Sequence, residues 1–412
     1  MKQTKVIFSL LFLALLLRLV FLFPQYSGDI KNHLVWGNSF LQSPAGFYSR
    51  HFPGFNDANY PPLAIFLFAL SNLLLLAFRN SFVYLNNLLP AFPSFLVPLF
   101  NHENMQYGFL KLPGILADLG IGYLLFKFSS TVIPGPALPA GRLTRNPSKL
   151  PYLLSALYLF NPAVIYLSSV WGQIDPVTNF FLLLSLYTAW TILQSEPNNT
   201  TKSSSRMRGS IQDTHIAYSM IFFTLSALTK QTALWFAPFY LFVWLKNLPV
   251  RQLATGVFYS VLVFFISYLP FGVSPFTALK NYFATLSGSS SGVSDAAWNF
   301  WYLLYPAGAE DSIRLGLFSV RQISVFLLVS ILIFFIYRLT RHYTLSTFLR
   351  YLFLWSLAVF FLQTRVHERH LAPALVFGLL TFVENPAWWL SYISLSLFHF
   401  LNLFLTLKIP FI

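Results

Sequence analysis

The sequence predicts an all-α, polytopic transmembrane helical bundle of about thirteen helices. Only 9% of its residues are charged and 56% are hydrophobic, whereas soluble domains carry about a quarter charged residues. Apolar stretches recur along the whole chain, and many approach the ~20 residues with which a helix crosses a bilayer. These stretches lack the alternation with a period of two that is typical of barrel strands. We therefore expect membrane lipid to surround the protein.

The predicted helices follow the apolar stretches. They cover residues 6–23, 61–78, 83–100, 109–127, 151–168, 177–194, 215–229, 233–245, 253–270, 316–337, 347–363, 371–383 and 387–407. The first stretch lacks the small-residue cleavage site of a signal peptide, so we expect an uncleaved helix. The segments 24–60 and 271–315 are predicted as long outer loops, and 131–150 and 195–214 as polar inner linkers. Residues 1–412 are expected to form a single domain.

The charge distribution predicts the orientation of the chain. With the N-terminus in the cytoplasm, fifteen of the 26 basic residues fall in inner loops, as the positive-inside rule requires. Nine of the 12 acidic residues fall on or near the outer face. The net charge of +14 is spread over short loops, so no nucleic-acid partner is expected. The chain has no cysteine, which excludes disulfides and thiolate chemistry.

The first outer segment contains a candidate base. Asp29 lies in SGDIKNHLVWGNSF, and a carboxylate at the boundary of a membrane cavity is suited to deprotonating an acceptor hydroxyl. An ordinary solvated loop aspartate is the alternative. Tyr60 lies in NDANYPPL, where Pro61 and Pro62 also fit a simple helix start.

A second motif, NPAVIYLSSVWGQIDP (161–176), joins two predicted helices. Trp171, Gln173 and Asp175 offer an aromatic ring, an amide and a carboxylate, which is a common way to hold a sugar. An interfacial tryptophan with helix caps is the alternative.

Three further groups of polar residues interrupt apolar segments. Lys230 and Gln231 lie in LTKQTALW, and an ammonium there needs an anion such as a lipid phosphate, or access to water. Trp298 and Asn299, in SDAAWNFWYLLYP, suit either a substrate cleft or anchoring at the headgroup layer. Asp118 lies about two turns inside its predicted helix and needs a partner.

The strongest motif is FLQTRVHERHLAP (361–373), which places five ionisable side chains in six positions. They are Arg365, His367, Glu368, Arg369 and His370. Arginine binds phosphate through paired N–H donors, so an anion-binding site is favoured over a solvated charged loop. A metal site is disfavoured because zinc motifs on helices more often use i, i+4 histidines. No metal or other cofactor is therefore expected.

The ordered motifs resemble the membrane-embedded GT-C glycosyltransferases over roughly residues 25–375. GD, NYPPL, KLPGILADL, NPAVIYLSSVWGQID, LTKQ, WNFW and RVHERHLAPAL follow one another. The sequence is most similar to bacterial relatives of the second mannosyltransferase of glycosylphosphatidylinositol synthesis, and is also similar to dolichyl-phosphate-glucose glucosyltransferases. The resemblance implies a GT-C-like fold, a polyprenyl-phosphate sugar as donor, no required metal and catalysis on the extracytoplasmic face.

Three positions match motifs of that family. Asp29 matches its first-loop catalytic aspartate, Tyr60 begins its YPPL motif, and His367 with Glu368 matches its histidine–glutamate motif. The chain departs from members with an acidic pair in the first loop, because no second acidic residue stands beside Asp29.

The sequence thus predicts transfer of a hexose, mannose or glucose, to a lipid-linked glycan, glycolipid or protein. One base without a neighbouring carboxylate favours a single inverting displacement, by analogy with glycoside chemistry. Two alternatives stay open: a transporter or flippase of lipid-linked sugars, and a polymerase or ligase of surface polysaccharide. Transporters usually show repeats and charges near the bilayer midplane, and the sequence shows neither.

Overall fold

The structure, a computed structural model, describes residues 2–23, 27–131, 149–194, 205–284, 291–382 and 388–408. Within them the chain is almost entirely helical. The α-helices are α1 (Lys2–Val20), α2 (Asp29–Gln42), α3 (Pro62–Leu88), α4 (Leu96–Asn101), α5 (Glu103–Thr131), α6 (Leu150–Leu159), α7 (Pro162–Ile165), α8 (Asp175–Gln194), α9 (Ser205–Thr229), α10 (Ala237–Asn247), α11 (Val250–Tyr268), α12 (Pro275–Ala284), α13 (Phe300–Leu304), α14 (Val320–Arg341), α15 (Leu345–Leu362), α16 (Ala372–Phe382) and α17 (Trp389–Leu407).

Shorter elements join these helices. A π-helical turn (Tyr166–Trp171) continues α7, and 3₁₀ turns cover Phe47–Ser49, Gln231–Phe236, Leu269–Phe271 and Glu368–Leu371. One two-stranded antiparallel hairpin pairs β1 (Arg314–Leu315) with β2 (Phe318–Ser319).

Six helices of the described ranges are long and apolar enough to cross a membrane: α3, α5, α11, α14, α15 and α17. A seventh span is formed if α6 and the segment Pro162–Trp171, which meet at 46°, are counted together. These spans fit a multi-pass integral membrane protein and confirm the all-α class. The total of about thirteen membrane helices and the sidedness of the termini remain predictions.

The third predicted helix is wrong. The prediction divided residues 61–100 into two helices at a polar inner loop, whereas α3 continues without a break through Arg79 to its end and α4 has only six residues. Arg79 is accommodated inside the helix because its Nε donates to the carbonyl of Phe100 at 2.7 Å. Helical structure ends instead before Pro90 and Pro93, which cannot continue it.

The predicted loops are also more ordered than expected. The outer segment 24–60 contains α2, and 271–315 contains α12, α13 and β1. Residues 205–214, expected to belong to an inner linker, form the first turns of α9, which continues into the apolar stretch that follows. Residues 132–148 of the other linker lie outside the described residues.

The bent segment from α6 to α8 shapes the end of the bundle at which α8 begins. Asn161 caps α7 by accepting from the backbone N–H of Ala163 at 2.9 Å, and Pro162 occupies the first turn, where proline is favoured. The π-helical turn ends at Gly172, whose φ of 83° suits glycine. A Cβ at this position would lie 2.7 Å from Cδ1 of Ile30 and 3.1 Å from Cγ of Lys111. The start of α2 therefore packs directly against the backbone of Gly172.

A fully buried ion pair ties α1 to α5 and α6. Arg18 lies 3.4 Å from Asp118 through Nη2 and Oδ2, and both side chains have no exposed surface. Arg18 also donates to the carbonyl of Leu159 at 2.8 Å, and the hydroxyl of Tyr158 donates to Asp118 at 2.9 Å. The expectation that Asp118 needs a partner is thus confirmed, and that partner is Arg18.

Candidate functional site

Charged side chains from four chain segments meet around Arg369, and we call this group the Arg369 cluster. The Nη1 atom of Arg369 lies 3.1 Å from Oε1 of Glu368 and 3.9 Å from Oδ2 of Asp29. Its Nε lies 4.0 Å from Oδ2 of Asp175, and its guanidinium carbon lies 5.5 Å from the centroid of the Trp171 ring. The guanidinium thus contacts three carboxylates and one aromatic face, although its side chain is only 11% exposed.

The ends of helices bring these groups together. Asp29 is the first residue of α2 and Asp175 the first residue of α8, where a carboxylate interacts favourably with the helix dipole. Lys230 follows the last residue of α9, and Arg369 lies in the 3₁₀ turn between α15 and α16. Helix ends that are distant in the sequence therefore bring these five charged side chains together.

Lys230 is paired within the protein. Its Nζ donates to both carboxylate oxygens of Asp175, at 2.7 and 2.9 Å, and it lies 5.8 Å from the centroid of the Tyr60 ring. Both ionic side chains are buried. The sequence predicted that this ammonium needs an anion, and the structure supplies Asp175 as that anion. A lipid phosphate as a further ligand of Lys230 remains a prediction.

Asp29 is the accessible carboxylate of the cluster. Its side chain is 42% exposed, against 9% for Asp175 and 4% for Glu368. Gln173 donates through Nε2 to Oδ2 of Asp29 at 2.7 Å, which fixes the orientation of the carboxylate. An incoming hydroxyl group can therefore reach Asp29, whereas the other two carboxylates are enclosed.

The expectation that Asp29 has no carboxylate neighbour is wrong. Asp175 and Glu368, which are distant in sequence, approach it because all three contact Arg369. Three carboxylates and the two cations Lys230 and Arg369 give the cluster a formal charge of −1 when all are ionised. Burial raises the pKa of Glu368, and the neighbouring Arg369 opposes that rise.

An aromatic wall borders the cluster and includes His33, which no sequence motif singled out. His33 is buried in α2 and stacks on Phe68, with ring centroids 4.2 Å apart, while its ring lies 5.6 Å from that of Tyr60. Burial lowers the pKa of His33 to about 3. Its spacing of four residues from Asp29 on one helix face is the signal that could have indicated this position.

His367 and His370 form the rim beside Arg369. His367 Nε2 lies 3.6 Å from Oδ2 of Asp295, and its backbone N–H donates to Nδ1 of His370 at 3.1 Å. The ring of His370 packs edge-on against Trp235, with centroids 5.0 Å apart. Burial, with the positive charge of nearby Arg369, lowers the pKa of both histidines, so both are neutral at neutral pH.

Arg365, proposed from sequence as a phosphate ligand, makes a bidentate ion pair with Asp311. Its Nε lies 2.7 Å from Oδ2 and its Nη2 3.1 Å from Oδ1 of that carboxylate. The sequence analysis gave Asp311 no role, because 54 residues separate the two. The side chain of Arg365 is thus turned to the loop that carries Asp311.

Three other predicted binding residues make contacts that stabilise loops. Asn299 caps α13 and donates to the carbonyl of Gln363 at 3.2 Å. The backbone N–H of Trp298 donates to Asn402 at 3.0 Å. Gln231 donates to the carbonyl of Asn59 at 3.3 Å. Roles in substrate binding remain predictions for all three.

Candidate metal ligands are not grouped in the described part of the chain. No three His, Asp or Glu side chains there are arranged to hold a metal ion. The expectation of metal-independent chemistry remains a prediction.

Comparison with known proteins gives no family assignment. Neither the protein-family models nor the curated proteins compared with the chain produce a match. The geometry of the Arg369 cluster and the sequence motifs are therefore what bears on function.

Proposed function

We propose that this protein is a GT-C-type membrane glycosyltransferase that moves a hexose, mannose or glucose, from a polyprenyl phosphate to a hydroxyl of a glycan, glycolipid or protein. The observation that carries the proposal is the position of Asp29. Its accessible carboxylate is held by Gln173 and lies 3.9 Å from the enclosed guanidinium of Arg369. A base beside a fixed cation is what sugar transfer from a phosphate requires.

The reaction is a single displacement. Asp29 accepts the proton of the acceptor hydroxyl, whose oxygen bonds to the anomeric carbon as the bond between that carbon and the phosphate oxygen breaks. The polyprenyl phosphate departs with the electron pair, and Arg369 stabilises its developing charge. Asp29 then returns the proton to water, which restores the base.

Asp175 supports the inverting course. A retaining mechanism needs a second carboxylate as nucleophile, and both oxygens of Asp175 are occupied by Lys230. Glu368 is nearly enclosed and paired with Arg369. Asp29 is therefore the carboxylate that we assign to the reaction.

One aromatic residue of the site suits the sugar. The Tyr60 ring is partly exposed and lies beside Lys230, so it can cover an apolar sugar face. The Trp171 ring is only 3% exposed and packs against Arg369, which it supports. His367 and His370, which flank Glu368 and Arg369 in the chain, border the site on the side of this guanidinium. In this proposal the cluster faces the extracytoplasmic side, the N-terminus is cytoplasmic, and the lipid tail lies between helices in the bilayer.

The test is transfer by the purified protein in lipid nanodiscs. Polyprenyl-phosphate mannose and glucose would each be supplied with glycolipid and lipid-linked glycan acceptors, and product and released polyprenyl phosphate quantified. We expect one donor to be used, with an inverted anomeric configuration. A retained configuration would contradict the single displacement. No turnover with any donor, together with movement of donor across proteoliposome membranes, would contradict the enzyme and favour the flippase.

A further inference from the structure

We infer that Arg365 and Asp311 form a latch that holds the Arg369 turn in place, so that Arg365 is a positioning residue and not a ligand of the donor phosphate. This inference rests on the proposed function for its kinetic consequences. Its structural part stands on contacts within the protein alone.

Hydrogen bonds within the protein hold the Asp311 carboxylate of the latch. The carboxylate of Asp311 is 3% exposed and accepts from Nε and Nη2 of Arg365 and from the hydroxyl of Thr364 at 3.1 Å. The backbone N–H of Thr364 donates in turn to the hydroxyl of Ser324 on α14, at 3.2 Å. The carboxylate therefore occupies the Nε–Nη2 edge of the guanidinium, one of the two edges through which arginine binds phosphate by paired N–H donors.

Backbone pairing extends the latch to the cluster. The N–H of Asp295 donates to the carbonyl of Val366 at 3.0 Å, and the N–H of Arg365 donates to the carbonyl of Gly292 at 3.2 Å. His367, which follows Val366, forms isolated β-bridges with Asp295 and Ala296. The 3₁₀ turn that carries Glu368 and Arg369 starts immediately after it.

The paired segment is fastened on its other side by α17. Asn402, which is fully buried, donates to the carbonyl of Ala296 at 2.8 Å and accepts from the N–H of Trp298. Ala296 and Arg365 both adopt φ of 62°, a conformation that side chains other than glycine rarely adopt. Two unfavourable backbone conformations in paired segments persist only where surrounding contacts hold them. The latch supplies those contacts.

The predicted kinetic signature separates a latch from a ligand. Asp311→Asn and Arg365→Lys should each lower kcat roughly 10- to 100-fold, since small displacements of a catalytic group have such effects. Donor KM should change less than kcat. The double variant should be no slower than the slower single variant, because both changes break one interaction. A rise in donor KM in Arg365→Lys, with normal transfer by Asp311→Asn, would overturn the inference.

A second readout does not need activity. The chain has no cysteine, so Val366→Cys adds a single thiol at a fully buried position in the latched segment. In that background, each latch variant should speed maleimide labelling about tenfold or more, through local opening. If Asp311→Asn and Arg365→Lys in the Val366→Cys background were labelled no faster than Val366→Cys alone, the latch would be contradicted. This outcome can be read even if the wild type transfers no sugar.

Glu310→Gln is the matched control. Glu310 neighbours Asp311 in the same loop but is exposed, and its carboxylate accepts from Ser312. Glu310→Gln removes the same charge as Asp311→Asn but leaves the Arg365–Asp311 contacts intact. Its labelling rate should therefore equal that of Val366→Cys alone, and its kcat that of the wild type. Comparable effects in Glu310→Gln would show that loop charge, and not the latch, is responsible.

Discussion

Arg18 and Arg369 each lie beside aspartate inside this protein, yet the two groups differ in how far their carboxylates are exposed to solvent. The Arg18–Asp118 pair has no exposed surface, and Tyr158 and a backbone carbonyl complete its contacts. The Arg369 cluster lies at the ends of helices and includes Asp29, which is 42% exposed. Two of its ionic contacts, at 3.9 and 4.0 Å, are longer than hydrogen bonds.

This difference teaches that ionisable residues in an apolar chain need not share one purpose. An enclosed pair whose contacts come from several helices holds those helices together. A cluster with longer contacts and one open carboxylate can admit a substrate and adjust to it.

The largest effect is expected for Asp29→Asn. Turnover should fall about 10²- to 10⁴-fold, the range that a general base contributes, whereas donor affinity and the thermal midpoint should change little, because this carboxylate is partly exposed. Transfer kinetics measure the turnover, donor titration the affinity, and thermal unfolding the midpoint. Asp57→Asn, at a 62% exposed carboxylate of the same outer segment, should match the wild type. Full turnover in Asp29→Asn would remove its role as the base.

A loss of stability, without a kinetic defect, is expected for Arg18→Met. Removing one partner of a buried ion pair leaves a charge unpaired, which lowers the free energy of unfolding by about 3–5 kcal/mol. Thermal unfolding in detergent measures the loss, and donor KM of the folded fraction should stay unchanged. The double variant with Asp118→Leu should recover much of the stability. An altered donor KM in Arg18→Met would mean that the enclosed pair also serves the site.

The smallest effect at neutral pH is expected for His33, whose influence on stability is confined to acid conditions. Burial lowers its pKa to about 3, while Asp29 and Asp175 raise it and Arg369 and Lys230 lower it further. The neutral ring therefore contributes its full stability above pH 6.5, the ordinary value, and this contribution is lost as the pH falls towards 3.

His33→Phe keeps the stacking on Phe68 and removes the titration. As the pH falls from 6.5 towards 3, the thermal midpoint of His33→Phe should fall less than that of the wild type. His51→Gln, at a 77% exposed side chain, should follow the wild type. Equal acid sensitivity in His33→Phe and the wild type would show that another group is responsible.

The sequence predicted most of the helical order because apolar stretches have the length of a span and polar residues mark many of their ends. It failed at Arg79, since a single arginine near a helix surface can be satisfied by a carbonyl of the following segment, and no local pattern shows this. The spacing of Asp29 and Trp36 suits a short helix, as α2 is, but the sequence could not indicate that this helix packs on α3.

For the site, the sequence identified charged residues but not their partners. Lys230 and Asp175 are 55 residues apart, and Gln173 and Asp29 are 144 apart. Such pairings depend on how helices pack, which a periodic pattern does not contain. Arg365 illustrates the consequence: its residue type suggested a phosphate, and only the fold revealed Asp311.

Gly172 limits how this protein can be altered. Its backbone touches Ile30, one residue from Asp29, and Gln173 beside it holds the Asp29 carboxylate. A side chain at 172 would have to adopt the left-handed φ of 83° that suits glycine, and its Cβ would displace the end of the Ile30 side chain beside Asp29. Efforts to change acceptor preference should therefore leave this position untouched and vary the exposed residues of the outer segment around Asp57, where new shapes can be introduced without moving the base.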